Sequence, residues 1–377
     1  MHGGAPRPRR PEGLMTSRHL ASRSLLFTAF SLAASQAFAA IPVGEHFSLS
    51  GFGTVAALRT DTDDAAYIRE SQTKGATDSF NLGTDSNFGV QLTGRANSWL
   101  SATVQTLTKR RSALYGATQV EWMFVKIEPF EGLAIRGGRI ATPTFAISDT
   151  RNIGYANPWV HAPSEVYGLA VIDQLRGGDI TYSHDLGGGT LKVTGLAGKN
   201  YFAADVGTGP LALKQDNVLG VNAVWENDWL MLRAGQVKGD FDLPAFADYG
   251  DQYTFTGFGA IFNRDNWLIQ GEYVTRRAKN IAEQADIDGW YALVGHRFGA
   301  VQPFASYGSS EPKYSASRTG KQTTASLGVR WDFYQSMALK AQWDKVDTNG
   351  IGNSFNRFRP GFDGNVNVFV VALDFVF

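Results

Sequence analysis

Imidazoles, thiols and paired carboxylates do most acid–base, nucleophilic and metal chemistry, and this chain holds few usable sets of them. It has no cysteine and six histidines. His2, His19 and His46 fall near the N-terminus, while His161, His184 and His296 lack the spacing of a metal-ligand set. No nucleophile, base and orienting group assemble as a triad. The glycine run Gly187 to Gly189 leads into no helix that would make it a phosphate loop. The sequence therefore predicts no enzyme, no metal and no cofactor. What it does carry is a long polar segment, Thr142 to Leu175, in which Asp149, Arg151, Trp159, Glu165 and Asp173 sit among prolines and aromatics. Chemistry of that kind suits selecting a solute rather than converting one.

The elements that hold this segment can be read from the C-terminus backwards. Asn365 to Phe377 places Phe369, Val371, Leu373, Phe375 and Phe377 on one parity. An apolar stripe at period two that runs to the last residue reads as a β-strand with one face in lipid. At the other end Arg18 and Arg23 precede an apolar run, Ser24 to Ala34, and then Ala37-Phe38-Ala39. That pattern predicts a secretory leader over residues 1–39, too short to span a membrane as a helix, with Met1 to Leu14 a mis-called start upstream of Met15. Without the leader the chain carries 30 basic and 34 acidic side chains. A net acidic balance argues against nucleic acid as a partner.

Residues 40–377 show no linker that would divide them into two domains. Tight turns recur at Asn97-Ser98, Pro129 to Gly132, Leu186 to Gly189, Asn227-Asp228, Asp265-Asn266, Gly299-Ala300 and Tyr334 to Ser336. They alternate with longer polar segments: 59–87, 109–117, 142–175, 200–215, 239–252, 278–287, 310–320 and 348–365. Seven short turns and eight long loops predict an all-β transmembrane antiparallel barrel of about sixteen strands, with the long loops at the extracellular end.

The faces of the strands agree. Leu100, Ala102 and Val104 oppose Ser101, Thr103 and Gln105, while Ala325, Leu327, Val329 and Trp331 oppose Thr324, Ser326, Arg330 and Asp332. Leu339, Ala341 and Trp343 oppose Lys340, Gln342 and Asp344. One face is too charged for a packed core, so it should meet water while the other meets lipid. Trp99, Trp225, Trp229, Trp267 and Trp331 stand close to short turns, where an interfacial girdle would place them.

The leader, the strand count, the terminal phenylalanine and the position of the third long loop between strands five and six resemble the Gram-negative outer-membrane trimeric porin family. The run Arg136 to Tyr167 is similar to an R-x-G-R, P-x-F, S-D-x-R, P-W, P-S-E-x-Y pattern of proteobacterial porin-like proteins. The resemblance implies a water-filled channel for passive diffusion of ions and small hydrophilic solutes, narrowed by an inward-folded third loop. It also implies a homotrimer in outer-membrane lipid, inserted by the outer-membrane barrel assembly machinery, with Leu373, Phe375 and Phe377 as its recognition signal. In such porins acidic loop residues face a basic wall. Here that assigns the constriction to Arg95, Arg136, Arg139, Asp149, Arg151, Trp159, Glu165, Arg233, Arg330 and Lys340.

The wall cations have a second reading, as partners of Glu121, Glu272, Asp332, Asp344 or Asp374. Arg136 and Arg139 lie on opposite parities, so a β-bulge at Gly137-Gly138 is expected if both face the lumen. A channel specific for small anions or carboxylates is the alternative function, with Phe145, Tyr155, Trp159 and Tyr167 as part of an aromatic track.

Overall fold

The computed structural model describes residues 40–377 except 71, 112–116, 171–172, 206–209, 243–249, 280–285, 314–319 and 350–353. The predicted leader lies outside the described residues. Sixteen long strands form one closed antiparallel sheet. They are β1 (Phe47–Thr60), β2 (Asn87–Arg95), β3 (Leu100–Lys109), β4 (Thr118–Phe130), β5 (Leu133–Ala141), β6 (Gln174–Leu186), β7 (Gly189–Asp205) and β8 (Pro210–Glu226), continuing with β9 (Leu230–Asp242), β10 (Gly250–Arg264), β11 (Trp267–Ala278), β12 (Ile287–His296), β13 (Val301–Pro312), β14 (Lys321–Tyr334), β15 (Met337–Asn349) and β16 (Asn365–Val376). β16 pairs with β1 from Val368↔Thr60 to Val376↔Phe52, which closes the ring. The three-residue strand Ile41–Val43 pairs with the base of β1. Among the described residues no helix is long and apolar enough to cross a membrane.

All seven short connections fall where turn chemistry placed them. Asp265 and Asn266 both have positive φ, 52° and 67°, as a two-residue hairpin turn requires. Asn97 and Asn227 begin matching Asn-x-Trp-Leu turns. In each, the Asn Oδ1 accepts the backbone N–H groups of the Trp and Leu that follow, at 2.8–3.0 Å. At the long-loop end the strands run further than the sequence suggested, since β7 reaches Asp205 and β8 starts at Pro210 inside the expected loop 200–215. Above the lipid both faces of a hairpin meet water, so polar residues there do not end the backbone ladder.

The outward face is apolar. Val104, Phe258, Leu327, Val329, Leu339, Phe369 and Val371 are exposed, and so are Trp99, Trp267 and Trp331 near the short turns. The inward neighbours Thr103, Gln105, Ser326, Arg330, Lys340, Gln342 and Asp344 are buried. This inverts a soluble protein, as a lipid-facing barrel must. Part of the interior is apolar nonetheless. Val366, Val368, Val370 and Ala372 of β16 pack with Ala56 and Leu58 of β1 against Ala65, Tyr67 and Ala76 of the first loop and Phe355 of the last. The dipeptide strands Ala66–Tyr67 and Phe355–Asn356 pair there, so two further long loops dip into the barrel. Ala56 therefore points inward, so it is not among the small outward residues where walls could approach.

Candidate channel constriction

β5 ends at Ala141 and β6 begins at Gln174, and the described residues 142–170 between them lie along the inner wall. Its backbone turns through bonds from Thr150 N–H to the Ile147 carbonyl and from Ile153 N–H to the Thr150 carbonyl. It then forms a 3₁₀ turn at Gly154–Ala156 and one helical turn, α1 (Ser164–Tyr167). Gly154 touches the wall itself: a Cβ there would stand 2.1 Å from Asp374 Oδ1 and 2.5 Å from Thr54 Oγ1. Only a residue without a side chain lets the loop backbone approach so closely.

Polar wall side chains then hold the loop by its backbone. Lys340 Nζ donates to the carbonyls of Gly154 at 2.7 Å and Trp159 at 2.8 Å, and pairs with Asp374 at 2.7 Å. Arg330 donates to the carbonyls of Tyr155 and Asn157 at 2.5 and 3.1 Å, binds Asp332 at 2.8 Å and lies over the Tyr155 ring. Arg233 donates to the Pro143 carbonyl. Gln342 Oε1 accepts the Val160 N–H, and Glu272 accepts the Ala146 N–H, both at 2.8 Å. Buried charges of this kind are tolerable only when each has such partners. Arg330 and Lys340 are thus paired with the wall carboxylates Asp332 and Asp374, as the second sequence reading expected, and also hold the loop backbone.

The loop's aromatic side chains are packed rather than displayed. Phe145, Trp159 and Tyr167 are 2–5% exposed and cluster with Phe255 and Tyr291, with ring centroids 4.6 Å apart for Phe145–Tyr167 and 5.8 Å for Trp159–Tyr291. Tyr167 also bonds Glu272 through its hydroxyl. Glu165 is fully buried. It accepts from Gln322 at 2.7 Å and from Thr324, and burial pushes its carboxyl above the usual range despite these donors.

Sequence reasoning set His161 aside, yet it joins three segments. Nδ1 lies 3.0 Å from Asp85 of the first loop and Nε2 lies 2.6 Å from Asp344 of β15, with the Tyr67 hydroxyl at 3.2 Å. Arg69 approaches Asp85 at 3.7 Å and donates to the Ala162 carbonyl at 2.9 Å. Burial disfavours the imidazolium, but the two carboxylates outweigh it and raise its pKa to about 9. No spacing rule could have found this site, because its members come from positions 67, 85, 161 and 344.

Glu70, Lys109 and Arg151 line an open chamber between the first and third loops. Arg151 binds Glu70 at 2.6 Å and Asp173 at 3.6 Å, and Lys109 binds Glu70 at 2.9 Å. On the neighbouring wall Arg136 grips Asp179 through two nitrogens, at 2.5–3.1 Å, and Arg139 donates to Gln174. Asp149 is exposed on the loop, and Arg95 is exposed at the short-turn end of β2. No bulge occurs at Gly137-Gly138, where the register runs unbroken to both neighbours and Gly138 takes φ +140°. The ladder is instead interrupted on β4, where Glu121 is left unpaired between Val120 and Trp122.

No protein-family profile and no curated sequence matches the chain. Solved structures do. It is similar to Salmonella typhi OmpF in complex with daunomycin, at 14% identity over 88% of this chain and 97% of that one, with a TM-score of 0.60. The outer membrane channel DcaP of Acinetobacter baumannii is 11% identical over 90% of this chain and 99% of its own, with a TM-score of 0.59. An anion-selective porin from Comamonas acidovorans is 14% identical over 88% and 100%, with a TM-score of 0.57. The fold of this chain is that of the outer-membrane porin barrels.

Proposed function

We propose that this barrel is a water-filled outer-membrane channel for passive diffusion of ions and small hydrophilic solutes, and that residues 142–173 narrow it. The observation that carries this reading is the set of wall side chains, from β9, β11, β14 and β15, that bind the loop's own backbone. A loop lying outside the barrel would need none of them. In this reading Arg136, Asp149 and Arg151 border the water path, while Arg139 braces Gln174 at the end of the loop. Arg233, Arg330, Lys340, Trp159 and Glu165 hold the loop in place, and Arg95 lies at the periplasmic mouth. A specific anion channel with an aromatic track is supported less, because Phe145, Trp159 and Tyr167 are buried against the wall.

A homotrimer assembled by the barrel-insertion machinery fits the fold, with outward small residues such as Ala102 and Ala341 allowing walls to approach. Recordings in planar bilayers test the function. Removing residues 147–156 should raise single-channel conductance and change the reversal potential. A barrel of unaltered conductance and selectivity after that deletion would rule the constriction out.

A further inference from the structure

One buried cation of the inner wall is left without a counter-charge. Arg233 is 6% exposed and makes no ion pair among the described residues. Its Nη2 donates to the Pro143 carbonyl, while Nε and Nη1 are buried without a partner. An arginine stays charged in a protein, so it cannot escape the cost of burial by losing a proton. The register explains why no carboxylate reaches it. Arg233 pairs with Gly259 and Gly259 with Glu272, so Glu272 stands in the same row two strands away. Its oxygens are taken by the Ala146 N–H and by the Tyr167 and Tyr291 hydroxyls.

The guanidinium lies on bare backbone. Asn222, Gly235, Gly257 and Val274 form the next row, and Cβ atoms on the two glycines would stand 2.7 Å from Nη2 and 3.0 Å from Nη1. The Gly235 position is also 2.8 Å from Asn222 Oδ1, itself buried and unbonded, so amide and guanidinium meet over one notch. The Thr142 hydroxyl, beside the Pro143 anchor, is a further buried group without a partner. Donors prevail in this set, since the hydroxyl can donate and the Asn222 amide can turn its nitrogen inward by a flip. Buried polar groups left in this state mark a site for a water or an ion, and an uncompensated cation selects an anion. We propose that a single small anion of the halide class, chloride in physiological solution, binds at Arg233 and Asn222 between the wall and the third loop, and locks the root of that loop. Burial closes the site to permeating organic solutes. It stands apart from the water path, so its occupancy is read without any measurement of transport.

The test uses the full folded barrel, with heat-dependent gel mobility to confirm that each variant is folded. Crystals grown with sodium bromide in place of chloride should show an anomalous peak in contact with Arg233 Nε or Nη1, absent from crystals of R233Q. Thermal unfolding in detergent should have a higher midpoint in sodium chloride than in sodium gluconate at equal ionic strength, because the anion binds only the folded barrel. That difference should vanish in R233Q. The N222D variant places a carboxylate beside the guanidinium, so it should lose the bromide peak and unfold at the same temperature in both salts. It keeps the proposal open to refutation if R233Q does not fold. A wild-type crystal with no bromide at Arg233, or with a water in its place, would overturn the assignment. So would wild-type midpoints that are identical in chloride and gluconate, or a chloride effect that persists undiminished in N222D.

Discussion

The ring of Phe377, the last residue, lies over the bare backbone of Gly51 on the first barrel strand. The two residues exchange backbone hydrogen bonds of 2.8 and 2.9 Å, and a Cβ on Gly51 would stand 2.2 Å from the ring's Cζ. Phe375 covers Gly53 in the same way, at 2.4 Å. The terminal aromatics thus fill notches on the strand that closes the barrel. This gives Phe375 and Phe377 a structural role alongside the recognition role proposed for them with Leu373.

Closing that notch should weaken the seam. Gly51→Val should lower barrel stability by roughly 1–3 kcal/mol, the range for overpacking, as measured by urea unfolding in lipid vesicles. Adding Phe377→Ala to that variant should recover part of the loss, because the clash partner is gone. Additive effects of the two changes would show that ring and notch do not interact.

Much of the barrel was legible because its signals are local. Turn residues such as Asn97, Asn227 and Asp265-Asn266 carry their own geometry, and period-two alternation gives each strand its two faces. The inner architecture was less legible. Lys340 and Arg330 grip backbone carbonyls, which every residue has, so no pattern in the loop announces them. The docking of the first and last loops did leave a trace in β16, where Val366, Val368 and Val370 make the inward face apolar beside the lipid-facing Phe369 and Val371. A strand apolar on both faces needs an internal cover, and Tyr67 and Phe355 are part of it. His161 was invisible because its partners converge only in the folded barrel.

Lys340 offers a test of loop anchoring. Lys340→Met removes the donor to Gly154 and Trp159 and leaves Asp374 buried without its cation, so stability should fall by roughly 3–5 kcal/mol. Asp374→Asn in the same chain should restore much of that stability. Channel recordings of the double variant should still show a noisier and larger conductance, since the carbonyls remain unheld. Quiet, wild-type conductance in a stable double variant would show that Lys340 does not fix the loop.

His161 predicts a pH dependence with a definite sign. Its folded pKa, raised to about 9, lies above the unfolded value near 6.5. The contribution is therefore complete below about pH 6.5 and is lost as pH rises through about 9. The groups facing it are Asp85, Asp344, Tyr67 and, through Asp85, Arg69. Loss of the imidazolium charge leaves two carboxylates without their shared cation and should loosen the contact between the first and third loops. Current fluctuations should increase as pH is raised above about 9, and His161→Gln should show the high-pH behaviour at neutral pH. Identical pH profiles for the two proteins would remove His161 from the loop contact.

Arg136 and Arg233 separate selectivity from anchoring. The Arg136 side chain keeps 26% of its surface exposed while paired with Asp179, whereas Arg233 is 6% exposed and spends a donor on the Pro143 carbonyl. Neutralising Arg136 exposes a carboxylate to the water path, so Arg136→Gln should shift the reversal potential toward cations. The shift should shrink between 0.15 and 1 M salt, as the screening length falls from about 8 to about 3 Å. Arg233→Gln should act mainly on conductance, because it frees the root of the loop and removes little charge from the path. A larger selectivity shift from Arg233→Gln than from Arg136→Gln would reverse these roles and place the narrowest point at the root of the loop.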